Sequence, residues 1–343
     1  SKRRPLHPQY NQVYALILTW EFHDLRTASY TAPAAVDYIS LEDETKRLRQ
    51  TLEGYGYTVI EFDIPMDRPV EKLKARIKNF CRHAADDTLL MVYYHGHGSL
   101  DDENELVFSS HEHPANPEWS QAAAAELYAA LLVGDVCSKH GRKEKHQQLT
   151  KKYERYRPVA EVKWEDIRPI VLGAPCDVLL VLDCCAAGAA NLHHANWQPP
   201  PATERFTKHL FAACGFESST SDDMTAAMCD ILDTWVPGQG LLPDPMGPNG
   251  DGAANGGGAG GGAATGKLGT PLALASPPAG SPFITTKRLH QIMEDRLQRN
   301  SAGSQPIFKQ LLPHDPEQHI TLPNLLDRGV AGRRGRSRGY FVA

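Results

Sequence analysis

The chain has 343 residues, a formal charge of −5 and an ordinary apolar share, enough for a full core. The mild charge argues against a nucleic-acid or acidic-membrane partner, and no apolar run approaches the roughly 20 residues of a membrane helix. Seven cysteines (Cys81, Cys137, Cys176, Cys184, Cys185, Cys214 and Cys229) are odd in number and irregular in spacing, which points to free thiols in a reducing, cytoplasmic setting.

The chain opens Ser1-Lys2-Arg3-Arg4-Pro5, with no Met and no apolar h-region. It therefore reads as a segment fused to further domains of a longer protein, with residues 331–343 a basic linker. Val13 to Trp20 is apolar throughout and is expected to be a central strand. Leu41, Leu48 and Leu52 recur at helical spacing among charges, closed by Gly54 and Gly56. Tyr57 to Phe62 reads as a second strand. Val70, Leu73, Ile77, Phe80 and Cys81 then line one face of a helix. Leu89 to Tyr94 is a third strand, so the order is β-α-β-α-β, the pattern of a parallel sheet wrapped by helices.

A helix is expected from Trp119 to Val133, then a basic, solvated insertion at about 135–160. Trp164 to Leu172 reads as a short helix, Val178 to Leu182 as a fourth strand, and Phe211 to Cys214 as the end of a fifth. Thr225 to Trp235 is helical in pattern. From about 237 to 282 the chain is rich in Gly, Ala and Pro and cannot bury enough apolar surface to offset its ordering entropy, so a disordered insertion is expected. Ile284 to Leu297 reads as a helix and Ile307 to Leu311 as a last strand. Residues 1–330 are taken as one α/β domain carrying two insertions.

Two strings carry the chemistry. Tyr93-Tyr94-His95-Gly96-His97-Gly98 follows the third strand, and Leu182-Asp183-Cys184-Cys185-Ala186-Ala187-Gly188 follows the fourth. In an open α/β sheet, active sites sit at that C-terminal edge. One string offers an imidazole and the other a thiol, the parts of a cysteine nucleophile with a histidine base. A free thiol is only a few per cent thiolate at neutral pH, so it needs such a base. The amides of Gly98 and of the nucleophile are the natural oxyanion donors. Neighbouring strand residues point to opposite faces, so at most one of Cys184 and Cys185 is aimed at a cleft. The same rule makes a zinc site from His95, His97, Cys184 and Cys185 awkward.

Tyr94-His95-Gly96-His97-Gly98 resembles the aromatic-Ser-Gly-His-Gly motif of caspase-like peptidases. Asp183-Cys184-Cys185 with Gly188 resembles the Asp-X-Cys-X-X-Gly segment of metacaspases and paracaspases. The Gly-Tyr before the second strand, Trp164 and the Ala-Ala-Cys-Gly at 212–215 fit as well. The whole looks similar to fungal caspase-like domains of multidomain proteins. The resemblance implies a three-layer α/β/α sandwich around a mostly parallel six-stranded sheet, with His97 as the catalytic base and Cys185 as the nucleophile. It implies protein or peptide substrates and no resident cofactor. His95 stands where a small residue is usual, and Ala187 where metacaspases carry Ser. His97 and Cys185 lie farther apart than the roughly 50 residues of caspases, and removing the polar insertion from about 121 to 160 restores that spacing.

By the same resemblance, Asp183 and Glu44 would bind a basic P1 side chain. Glu44 would otherwise be a residue of a solvated helix face, and Asp183 a cap. Metacaspases often need calcium. Asp101, Asp102 and Glu103 follow the His motif, but no acid follows Cys185 closely, so calcium dependence is not expected. Self-cleavage is expected in the Lys139–Arg157 stretch or between Arg205 and Lys208. The alternative reading is a catalytically silent signalling or assembly module.

Overall fold

A computed structural model describes residues 9–21, 23, 41–110, 160–191, 200–214, 223–236, 240–241, 283–300, 305–312 and 319–326. The expected helix at Trp119–Val133, almost all of both insertions and the basic linker lie outside these residues. Nine strands and helices come first along the chain. They are β1 (Gln12–Trp20), α1 (Leu41–Gly54), β2 (Thr58–Ile64), α2 (Pro69–Phe80), β3 (Thr88–His95), β4 (His97–Leu100), β5 (Leu106–Ser109), β6 (Glu161–Lys163) and α3 (Trp164–Leu172). The rest are β7 (Asp177–Asp183), β8 (Lys208–Ala212), α4 (Asp223–Thr234), β9 (Trp235–Val236), β10 (Gly240–Leu241), β11 (Phe283–Thr285), α5 (Thr286–Asn300), β12 (Ile307–Leu312) and β13 (Thr321–Pro323).

Six strands form one sheet in the order β12-β8-β7-β3-β1-β2. All neighbours are parallel except β12, which runs antiparallel to β8 at the edge. β3 and β7 are wholly buried, as their unbroken apolar runs require of strands covered on both faces. The alternation of side chains sorts the core into two layers. Leu90, Val92, Tyr94, Leu180, Leu182 and Cys184 pack with Leu73, Ile77 and Phe80 of α2 and with Trp164, Ile167 and Val171 of α3. Leu89, Met91, Tyr93, Leu179 and Val181 pack with Leu48 and Leu52 of α1, Met224, Met228 and Leu232 of α4, and Leu289 and Met293 of α5. The chain is thus an α/β/α sandwich.

The small strands were not legible in the apolar pattern. β4, β5 and β6 form an antiparallel sheet that leaves the main one directly after His95. The segment read as a helix from Ile284 begins instead as β11, which pairs with β13 before α5 starts at Thr286. Strands of three or four residues are too short for period-2 patterning to register.

Candidate active site

The register places the two strings side by side. β3 and β7 are adjacent, and His95, the last residue of β3, pairs with Asp183, the last of β7. His97 and Cys185 each follow that pair by two residues. His97 opens β4 and is partly exposed, and Cys185 lies in the turn after β7, also partly exposed.

The glycines set how closely the strings approach. A Cβ on Gly98 would run into the carbonyl oxygen of Cys185 and lie 2.9 Å from the Cys184 sulfur. The Gly98 backbone therefore packs directly on the Cys184 side chain and the Cys185 carbonyl. A Cβ on Gly96 would collide with the Tyr94 hydroxyl and lie 2.7 Å from its Cζ. That space is needed because Tyr94 folds back under the loop. Its hydroxyl accepts from the Trp20 indole N–H at 3.0 Å and donates to the His97 carbonyl at 2.8 Å. Burial, then the nearby Cys184 thiol, pushes the Tyr94 hydroxyl well above its ordinary pKa, so it stays a donor. This chain of hydrogen bonds ties the backbone of His97 to β1.

The cysteine turn is held from β8. Ala186 adopts φ 55°, the left-handed region that costs a non-glycine residue about 1–3 kcal/mol unless its surroundings fix it. Those surroundings are the end of β8. The Cys214 thiol donates to the Cys184 carbonyl at 3.3 Å, and the Cys214 carbonyl accepts from the Gly188 amide at 3.1 Å. The amides of Ala187 and Ala186 also face the Cys214 sulfur. Cys184 points into the core and is fully buried, and burial pushes its thiol well above the ordinary range. Burial raises Cys214 and Cys81 to about 11, and Cys176 and Cys229 to about 12. Cys176, Cys184, Cys214 and Cys229 are core thiols, and Cys81 is half-buried against the core.

On the α1/α4 face, the same strand ends carry acids. Asp183 is 3% exposed. Its Oδ2 accepts from the Tyr93 hydroxyl at 3.2 Å and from the Thr225 hydroxyl of α4. Glu44 of α1 is also buried, and its Oε2 lies 3.6 Å from Nε2 of His95. The helix face that carries Glu44 is therefore not a solvated one. Burial, then the charges of Asp183 and Glu44 among others, drives the Tyr93 hydroxyl well above its ordinary pKa. Arg47 of α1 pairs with Asp230 of α4, and Arg296 of α5 reaches the same carboxylate at 3.2 Å, tying the three helices together.

The acids after the His motif form a second cluster. Donor oxygens of Asp101, Glu103 and Glu105 lie within 4.8 Å of one another, the one such grouping of metal-type ligands among the described residues. The cluster already holds a cation. Lys163 of β6 sets its ammonium 2.7 Å from Asp101, 3.7 Å from Glu103 and 3.9 Å from Glu105. Asp102, expected beside them, is not part of it. A divalent ion would have to displace Lys163, so the donor set fits an internal ion pair better than a calcium site.

A family model described as a caspase domain matches residues 40–229, more than half of the chain. The chain belongs to the caspase-domain family. Two solved structures are similar to this caspase domain at 12% identity. The crystal structure of caspase-1 from Spodoptera frugiperda matches with a TM-score of 0.42, covering 94% of this chain and 95% of that one. The crystal structure of Chaetomium thermophilum Raptor matches with a TM-score of 0.34, covering 68% of this chain and 18% of that one. No curated protein matches. Family membership makes this a cysteine-peptidase-type domain.

Several side chains that shape the site of this caspase domain escaped the sequence reading. Trp20 and Thr225 anchor it from two separate elements, and nothing local marks them. Tyr94 and Cys214 lay inside recognised motifs, but their hydrogen bonds depend on which strand ends meet.

Proposed function

We propose that this domain is a cysteine endopeptidase that cleaves after Arg or Lys. His97 takes the proton from Cys185, and the thiolate adds to the scissile carbonyl carbon. The amides of Gly98 and Cys185 donate to the developing oxyanion. Collapse breaks the C–N bond, and the imidazolium of His97 protonates the leaving amine. Water, deprotonated by His97, then hydrolyses the thioester and restores the thiol.

One observation carries the choice of P1. Asp183, two residues before Cys185, is a buried carboxylate whose described hydrogen bonds all go to Oδ2. Its Oδ1 would be the acceptor for a cationic P1 side chain. A buried carboxylate recognises a guanidinium or ammonium and rejects an acidic side chain. The occupation of the Asp101 cluster by Lys163 supports activity without calcium.

Self-processing is part of this proposal. Of the two expected regions, 139–157 lies outside the described residues. In the other, Lys208 is no P1 candidate. It is fully buried in β8, with its ammonium on the carbonyls of Ala174 and Cys176. Arg205 is exposed and pairs with Asp86 at 2.7 Å.

A fluorogenic peptide panel tests the reading. Cleavage after Arg or Lys that vanishes in Cys185→Ala is expected. Cleavage after Asp alone would overturn the specificity, and no cleavage of any peptide or protein would favour a silent module. Identical intact masses for wild type and Cys185→Ala would overturn self-processing.

A further inference from the structure

Cys214 lies just past β8 and is fully buried. It takes no part in the proposed proton transfers, yet its contacts bracket the nucleophile. Its thiol donates to the carbonyl of Cys184, the residue before Cys185, at 3.3 Å. Its sulfur faces the amides of Ala187 and Ala186, the two residues after Cys185. Its own carbonyl accepts from the Gly188 amide at 3.1 Å. One residue thus holds the turn on both sides of Cys185. The turn needs holding, because Ala186 sits at φ 55°, where a non-glycine residue stays only if its surroundings fix it. The same turn packs the Cys185 carbonyl against Gly98, so a shift there would move the thiol and the proposed oxyanion donors together.

A cysteine in an apolar core commonly acts as a small hydrophobe. Its sulfur also supplies a weak donor and a weak acceptor on one atom, which no apolar side chain of that size offers. Resting on the reading of Cys185 as the nucleophile, we propose that Cys214 is a positioning residue: the hydrogen bonds of its sulfur, rather than its volume, hold the Cys184–Gly188 turn in the shape that aims the Cys185 thiol. Misplacing a reacting group by about 1 Å can cost on the order of 100-fold in rate. Valine would fill a comparable volume and make none of these bonds. Serine would keep a donor and an acceptor, although hydroxyl bonds of about 2.7–2.8 Å would draw the turn in slightly.

The test compares the wild type with Cys214→Val, Cys214→Ser and Cys214→Ala, all assayed well below their melting temperatures so that stability does not enter. Two quantities are measured: kcat and KM on a P1-arginine peptide, and the rate at which iodoacetamide alkylates Cys185, mapped by mass spectrometry. Cys214→Val should lose about 10- to 100-fold in both kcat and alkylation rate, with KM within about twofold. Cys214→Ser should stay within about fivefold of the wild type. Cys214→Val as fast as Cys214→Ser, or faster, would show that volume is what matters and would overturn the inference. If Cys214→Val does not fold, Cys214→Ser against Cys214→Ala decides: faster Ser supports the inference, and Ser no faster than Ala overturns it. A wild type whose Cys185 is alkylated but which cleaves no peptide would overturn the peptidase reading, while the alkylation ranking still judges the role of Cys214.

Discussion

The two faces of the central sheet meet at one edge and do different work there. Toward α2 and α3, the ends of β3 and β7 carry Tyr94 and Cys184, both fully buried. Their contacts hold backbone: Tyr94 fixes the His97 carbonyl, and Cys184 packs under Gly98. Toward α1 and α4, the same strand ends carry Tyr93, His95 and Asp183, and those contacts place charge. Residues one position apart thus divide into backbone positioning and, under the proposed function, substrate recognition, because a strand alternates its faces. His97 and Cys185 lie just beyond both, where the alternation ends and the chain turns.

Substitutions on the two faces should separate accordingly. The largest effect is expected on the recognition face. Asp183→Asn keeps the volume and the bonds to Tyr93 and Thr225 but removes the charge facing P1. It should lower kcat/KM for Arg peptides about 100- to 1,000-fold, the scale of losing one partner of a buried charge pair, while labelling of Cys185 by a small neutral thiol reagent persists. Loss of labelling as well would mean that Asp183 holds the nucleophile turn rather than the substrate.

Gly98→Ala strikes the backbone side. The new methyl meets the Cys185 carbonyl, which cannot rotate away as a flexible side chain would. Overpacking of this kind costs about 1–3 kcal/mol. Denaturant unfolding should show that loss, and activity should fall for every P1 residue alike. A P1-dependent loss would blur the division between the faces.

Tyr94→Phe removes the hydroxyl between Trp20 and His97. It leaves a buried indole N–H and a carbonyl short of a partner, at about 1–3 kcal/mol. The expected signature is a lower kcat with KM little changed, read from steady-state kinetics.

The smallest effect belongs to the cluster around Lys163, away from both faces. Burial raises the Asp101 carboxyl, but the Lys163 ammonium and the amides of Glu105 and Glu103 outweigh it and hold it below the ordinary carboxylate range. Its contribution to stability is therefore present above the unfolded carboxylate pKa and is lost as pH falls through the depressed folded value. Lys163→Gln should flatten that acid limb in thermal unfolding. It should also let calcium raise the melting temperature, whereas the wild type should respond to neither calcium nor chelator.

Much of the framework was legible because buried parallel strands are written as continuous apolar runs. β1, β3 and β7 and the helix at Trp164–Leu172 could be placed from such patterns. The chemistry-bearing strings were visible because each ended such a run. What could not be read was contact across the fold. The resemblance singled out Glu44 on α1, but only the packing of α1 over β3 shows that it is buried and lies beside His95. Thr225 is an unremarkable residue of α4 until it meets Asp183. His95 looked like an anomaly beside the base, yet strand alternation puts it on the face of Asp183.

Under the proposed function, Cys185, and not its buried neighbour, is the nucleophile of a site that reads a basic P1 residue. Mass spectrometry after treatment with a peptidyl electrophile bearing P1 arginine tests it directly. One adduct on the peptide containing Cys185 is predicted, absent in Cys185→Ala and outcompeted by arginine-containing substrate. An adduct on Cys184, or equal labelling by a P1 aspartate reagent, would contradict the account.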